Sequence, residues 1–157
     1  MPARERDLVD MLFRVGHVVL ATDYTYPYDL DVEALMRLAG TESPEGAAQR
    51  IAGALRSVCR PVFRYRFANP AKPGVVYGLA LYECPQGYAA YSYEVDEARR
   101  DHEFVAGGWD EVKKGLQSLA LDLIEELERS RELAEEPRQL DEIERAVRAI
   151  ERLVGLR

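Results

Sequence analysis

Cys84-Pro85-Gln86-Gly87 is the tightest constraint on this chain, because it stands between two runs that alternate like β-strands. Proline presets the second position of a type I turn, and glycine accepts the left-handed conformation that follows. The reading is a hairpin with Pro85, Gln86 and Gly87 as a three-residue loop, joining strands at 75–83 and 88–95. Before it, Val62, Arg64 and Arg66 alternate with Phe63, Tyr65 and Phe67, the period of two that a half-buried strand needs. The span 62–68 is therefore a third strand, and Asn69 to Gly74 a loop. An antiparallel meander of three strands is expected.

The three-residue loop sets a register, and register assigns faces. Leu81 is expected opposite Tyr91, Leu79 opposite Tyr93 and Tyr77 opposite Val95, a large apolar face that Phe63, Tyr65 and Phe67 extend. The other face then carries Val76, Gly78, Ala80 and Tyr82 beside Tyr88, Ala90, Ser92 and Glu94, with Arg64 and Arg66 at its margin. Small residues flanked by arginines and tyrosines suit an anionic ligand, a peptide or stacked bases. The alternative is a face covered by a helix.

Helices are expected on both sides of the meander. Asp7, Asp10, Arg14 and His17 form one polar stripe, so residues 4–21 read as a helix, with a strand from His17 as the rival reading. Pro27 forbids a helix in the tyrosine-rich stretch 23–29, after which Asp29 or Asp31 caps a short helix ending at Gly40. Ser43-Pro44-Glu45 is an N-cap, an N1 proline and a first-turn acid, opening a helix that stops before Pro61. Residues 96–104 are charged and read as a short helix or a loop. A long helix then runs from Trp109 to about Glu135 and breaks at Pro137. Leu140, Ile143, Val147, Ile150 and Val154 make a heptad seam on the last helix, which closes an antiparallel hairpin. The fold class is α+β in one domain over 1–157: helical to 60, meander 61–95, connector 96–108, hairpin 109–157. The order helix, three strands, helix resembles that of double-stranded-RNA-binding domains in element order alone. The acids Asp110, Glu111, Glu125, Glu126 and Glu128 near Lys113 and Lys114 would repel phosphates, and the chain is not assigned to that family.

A chain 47% apolar and 31% charged can bury a core rather than stay disordered. The charged opening and the lack of a long apolar run predict neither a secretory signal nor a membrane span, so a cytoplasmic location is expected. Arginine is favoured over lysine, of which there are only Lys72, Lys113 and Lys114, and this suggests a heat-loving source. Two cysteines, Cys59 and Cys84, are expected as half-buried thiols rather than a disulfide or metal ligands. Net charge is −7, yet residues 46–82 hold six cations and no acid, a segment that pairs with acids elsewhere or meets a polyanion.

No catalytic constellation, cofactor or metal site emerges. Asp101-His102-Glu103 places an imidazole between carboxylates, but consecutive residues point apart, and a solvated turn is the expectation. His17 is expected at the surface, and a zinc site from His17, His102 and the cysteines would need distant elements to converge. The leading expectation is a non-enzymatic binding or regulatory protein that self-associates, as a dimer, through the hairpin or a sheet edge. A nucleic-acid or polyanion binder using Arg60, Arg64, Arg66, Lys72, Tyr82 and Tyr88 comes second, and a small metal-dependent enzyme around His102 third.

Overall fold

In a computed structural model, residues 4–22, 24–26 and 30–156 are described. The elements are α1 (Glu5–Val15), β1 (His17–Ala21), β2 (Tyr24–Tyr26), α2 (Leu30–Ala39), α3 (Pro44–Val58), β3 (Arg60–Ala68), β4 (Val76–Cys84), β5 (Gly87–Val95), β6 (Arg100–Gly107), α4 (Trp109–Arg129) and α5 (Pro137–Leu153). All strands join one antiparallel sheet in the order β2-β1-β6-β5-β4-β3. The expected meander is its β3-β4-β5 part.

Two of the added strands come from segments read otherwise. The rival reading at His17 is the one observed: α1 stops at Val15, Gly16 takes φ +85°, and β1 begins. Glycine enters that region without a Cβ penalty, so the chain can turn from helix to strand in one residue. The charged stretch expected as helix or loop is a four-residue turn followed by β6. There Asp96 Oδ1 accepts from the Ala98 and Arg99 amides at 2.7 and 2.6 Å. His102, Phe104 and Ala106 of β6 face one side and are buried, while Asp101 and Glu103 face the other. The alternation was there, but masked by charge on its second phase. The cap at Asp29 lies outside the described residues.

Helices cover both faces of the sheet. On one, α1, α2 and α3 pack Leu8, Leu12, Leu35, Ile51 and Leu55 against Val18, Leu20, Tyr82, Tyr91 and Phe104. On the other, α4 and α5 pack Leu116, Leu123, Leu127, Ile143 and Ile150 against Tyr77, Leu79, Leu81 and Ala90. Burying roughly 25 cal/mol per Å² of apolar surface on two faces explains why strand β4 is apolar in both phases. The long helix expected from 109 to 135 ends at Arg129, and a 3-10 turn (Ser130–Leu133) precedes α5. Its polar tip is largely exposed, with Glu132, Leu133, Glu135 and Glu136 at the surface, while Ser130 is fully buried and Gln139 Nε2 donates to the Pro70 carbonyl at 3.1 Å.

The hairpin register differs by one residue from that expected. Cys84 pairs with Gly87 across a two-residue loop, so Leu81 faces Ala90, Ala80 faces Tyr91 and Gly78 faces Tyr93. Two covered faces remove the reason for sorting all large side chains to one side. Large now sits opposite small: Tyr82 opposite Ala89, Tyr91 opposite Ala80, Tyr93 opposite Gly78. A Cβ on Gly78 would stand 2.0 Å from Tyr93 Cε1, so only glycine leaves room for that ring.

The cysteines also depart from expectation. Cys59 at the end of α3 and Cys84 at the end of β4 form a disulfide, their Cα atoms 4.4 Å apart. Pairing of Arg60 with Glu83 sets them side by side, a proximity that spacing in sequence cannot reveal. Among the described residues no helix is long and apolar enough to cross a membrane.

Candidate functional site: a cationic cleft between α3 and the sheet

The capped start of α3 positions one wall of the site. Ser43 Oγ accepts from the Gly46 amide at 3.2 Å, and Pro44 occupies the first turn, as expected. The helix buries Ala47, Ala48, Ile51, Ala52, Ala54 and Leu55, and its stripe of Glu45, Gln49, Ala52 and Arg56 at helical spacing borders the cleft. That stripe and the outer strands enclose a cleft of about 1130 Å³. Small-molecule pockets typically span about 300–1,000 Å³, so this one admits a ligand with water around it.

The floor follows from strand pairing, because paired residues share a face. Arg66, Gly78, Tyr93 and His102 form one row across β3 to β6, and Arg64, Ala80, Tyr91 and Phe104 form the next. Tyr91 lies parallel to Phe104 with ring centroids 4.3 Å apart, and Tyr93 tilts against it at 5.4 Å. Tyr82 and Tyr91 are buried, while Tyr93 keeps part of its ring open to the cleft. The outer end is closed by the β5–β6 turn with Asp96, Glu97 and Arg100.

Charge within the cleft is divided. At the outer end Glu45 is occupied, accepting from His102 Nε2 at 2.5 Å and from Gln49 at 2.8 Å, with Arg100 3.8 Å away. Arg56 of α3 and Arg64 and Arg66 of the edge strand β3 also line it, all three exposed. None of the three has a carboxylate within ion-pair distance among the described residues, although Arg60, Arg99, Arg129 and Arg148 all do. Arg64 and Arg66 lie two residues apart on one strand face, about 7 Å along the strand. Two such charges repel by roughly 0.6 kcal/mol in water-like surroundings.

His102 is a buried polar group on the floor. It is 5% exposed and both ring nitrogens are engaged, Nδ1 with the Tyr91 hydroxyl at 2.5 Å and Nε2 with Glu45. Burial lowers its pKa, against the opposing pull of Glu45 and Asp101. Burial drives the Tyr91 phenol far above its ordinary range. The consistent arrangement is a neutral imidazole that donates from Nε2 to Glu45 and accepts at Nδ1 from Tyr91. Such a chain holds the floor and the α3 wall together and leaves no free base at neutral pH.

Of the six residues singled out from sequence, the fold gathers Arg64, Arg66 and Tyr82 in this cleft. Arg60 pairs with Glu83 at 3.0 Å, and Lys72 with Glu126 of α4 at 3.3 Å. Tyr88 lies on the opposite sheet face, against Trp109. Sequence reading missed Arg56, Tyr91, Tyr93, Arg100 and the His102–Glu45 pair. The stripe of Glu45, Gln49, Ala52 and Arg56 was a visible signal for the wall; the tyrosines were assigned to the wrong face by the register. His102 is not in a solvated turn, and its partners are Glu45 and Tyr91 rather than Asp101 or Glu103, which point to the other face. His17 is exposed as expected and bonds Glu103 at 2.8 Å. No family model, curated protein or solved structure matches this chain.

Proposed function

We propose that the protein is a non-enzymatic binding protein whose ligand is a small anion carrying a planar ring. The observation that carries this reading is the trio Arg56, Arg64 and Arg66, exposed and without acid partners among the described residues, along a tyrosine-floored cleft. The guanidinium groups offer fork-shaped donors to a phosphate or carboxylate, and the open part of Tyr93 offers a stacking surface for the ring. A compact ligand is favoured over a nucleic-acid strand, because the chain as a whole carries −7. The test is a thermal-shift panel of pyrophosphate, mononucleotides and aromatic carboxylates on the full chain. A ligand at 100 times its Kd adds about 2.7 kcal/mol, which raises Tm by roughly 5–11 °C for a chain of this size. The reading expects one class to do this in the wild type and not in Arg64→Ala/Arg66→Ala. A panel without effect, or an equal effect on both proteins, sinks it.

A second reading concerns assembly. Ile143, Val147, Ile150 and Val154 of the α5 seam are buried within the chain, so self-association has lost its main motive at the hairpin. We propose the β3 edge as the surface for it, since β3 ends the sheet and Val62 is 48% exposed there. Light scattering after size exclusion decides this: a dimer lost in Val62→Lys supports it, and a monomer at high micromolar concentration removes it. A cytoplasmic location is retained for a heat-loving source, in which intracellular disulfides such as Cys59–Cys84 persist.

A further inference from the structure

One side chain on the α3 wall has its orientation fixed by the chemistry of its neighbour. Gln49 Nε2 donates to Glu45 Oε1 at 2.8 Å. A carboxylate only accepts, so the amide nitrogen must be the atom that faces Glu45, and the amide oxygen faces elsewhere. Gln49 is exposed and lines the cleft. It therefore offers a ligand one acceptor, Oε1, and one donor, the second hydrogen of Nε2.

Two neighbours place this amide where a ligand ring would end. Glu45 Oε2 accepts from His102 Nε2 at 2.5 Å, and the His102 and Tyr93 rings have centroids 6.1 Å apart. A ring laid on the open part of Tyr93 thus comes beside Gln49 and Glu45. Along α3, Gln49 and Arg56 lie two turns apart on one face, about 10.5 Å along the axis. A base, a sugar and a phosphate in line bridge such a gap.

We infer that the ligand is a nucleotide whose base carries an exocyclic amine, adenine being the type, and that Gln49 selects it. This rests on the cleft being a site for a ring-bearing anion, with the phosphate at the arginines. The amine donates to Gln49 Oε1, and the second Nε2 hydrogen meets the ring nitrogen beside that amine. Hypoxanthine is the same ring with an oxo group in place of the amine. Its oxygen would face the amide oxygen and the Glu45 carboxylate with no hydrogen between them, losing one bond and gaining repulsion. Arg100 stands 3.8 Å from Glu45, but Asp96 and Glu97 line the same end and keep it acidic.

The experiment is calorimetric titration of the full chain with adenosine monophosphate and with inosine monophosphate. Adenosine monophosphate should bind at one stoichiometry and about tenfold tighter, roughly the worth of one hydrogen bond. Gln49→Leu, at an exposed position that the fold tolerates, should bring the two affinities within about twofold by weakening the adenine ligand alone. Arg64→Ala/Arg66→Ala should weaken both nucleotides and keep their ratio. Equal binding of the two by the wild type, or a preference that survives Gln49→Leu, overturns this inference and leaves the anion site standing. Binding of neither nucleotide, or binding that the arginine pair does not weaken, overturns the anion site and this inference with it.

Discussion

Breaking the Cys59–Cys84 bond should cost this fold a sizeable part of its stability. The bond closes a sequence separation of 25 residues. A loop of that length loses about 11.7 cal/mol/K of unfolded-state entropy on cross-linking, or about 3.5 kcal/mol at 25 °C. For a chain of this size 1 kcal/mol moves Tm by roughly 2–4 °C, so reduction should lower Tm by about 7–14 °C. Both sulfurs are buried, with Cys59 and Cys84 each 8% exposed, so the protein is best reduced in denaturant and refolded under reductant. Using reduced protein rather than alanine variants keeps cavity costs out of the comparison. Calorimetry gives the two Tm values, and a colorimetric thiol count in denaturant confirms the redox state of each sample. Two free thiols in unreduced protein would show that the bond does not form. No free thiols together with a Tm change below about 2 °C would refute the chain-entropy reasoning itself.

Gly78→Ala should unseat the Tyr93 ring, because the new Cβ would fall 2.0 Å from it. A loss of about 1–3 kcal/mol in urea unfolding is expected from overpacking, with weaker ligand binding in the cationic cleft. Ile143→Ala, at a fully buried position on α5, should cost about 2–5 kcal/mol in the same assay, and a cost below 1 kcal/mol would mean that α5 is not docked. His102 gives a pH dependence. Its folded pKa lies below the ordinary 6.5, so its contribution is complete above that pH and is lost as pH falls through the folded value. Urea unfolding from pH 7.5 to 5 should therefore show wild-type stability declining below about pH 6.5, a slope that His102→Gln reduces. A steeper decline in the variant would contradict the neutral, buried imidazole.

Local chemistry was legible where one residue type admits one conformation. Ser43 and Pro44 announced the start of α3, and the alternation of Phe63, Tyr65 and Phe67 announced β3. The period of two also identified β4 and β5. The hairpin register was not legible, because Pro85 and Gly87 suit either a two- or a three-residue loop and the choice depends on packing against both sheet faces. β6 was hidden because its outward residues Asp101 and Glu103 face a polar cleft, and their charge outweighed the alternation of His102, Phe104 and Ala106. The site shows the same division. Arg64 and Arg66 were visible on a strand face, but Arg56, Tyr93 and the His102–Glu45 pair join them only through contacts between elements distant in sequence.

The most direct test of the cationic cleft is nuclear magnetic resonance of the arginine side-chain Nε–Hε groups during titration with a mononucleotide. Binding as proposed shifts Arg56, Arg64 and Arg66 together with the Tyr93 ring, saturably and at one stoichiometry, while Arg60 and Arg148 in their ion pairs stay fixed. Shifts spread evenly over all exposed arginines, or none at the three cleft positions with any ligand of the panel, would contradict it.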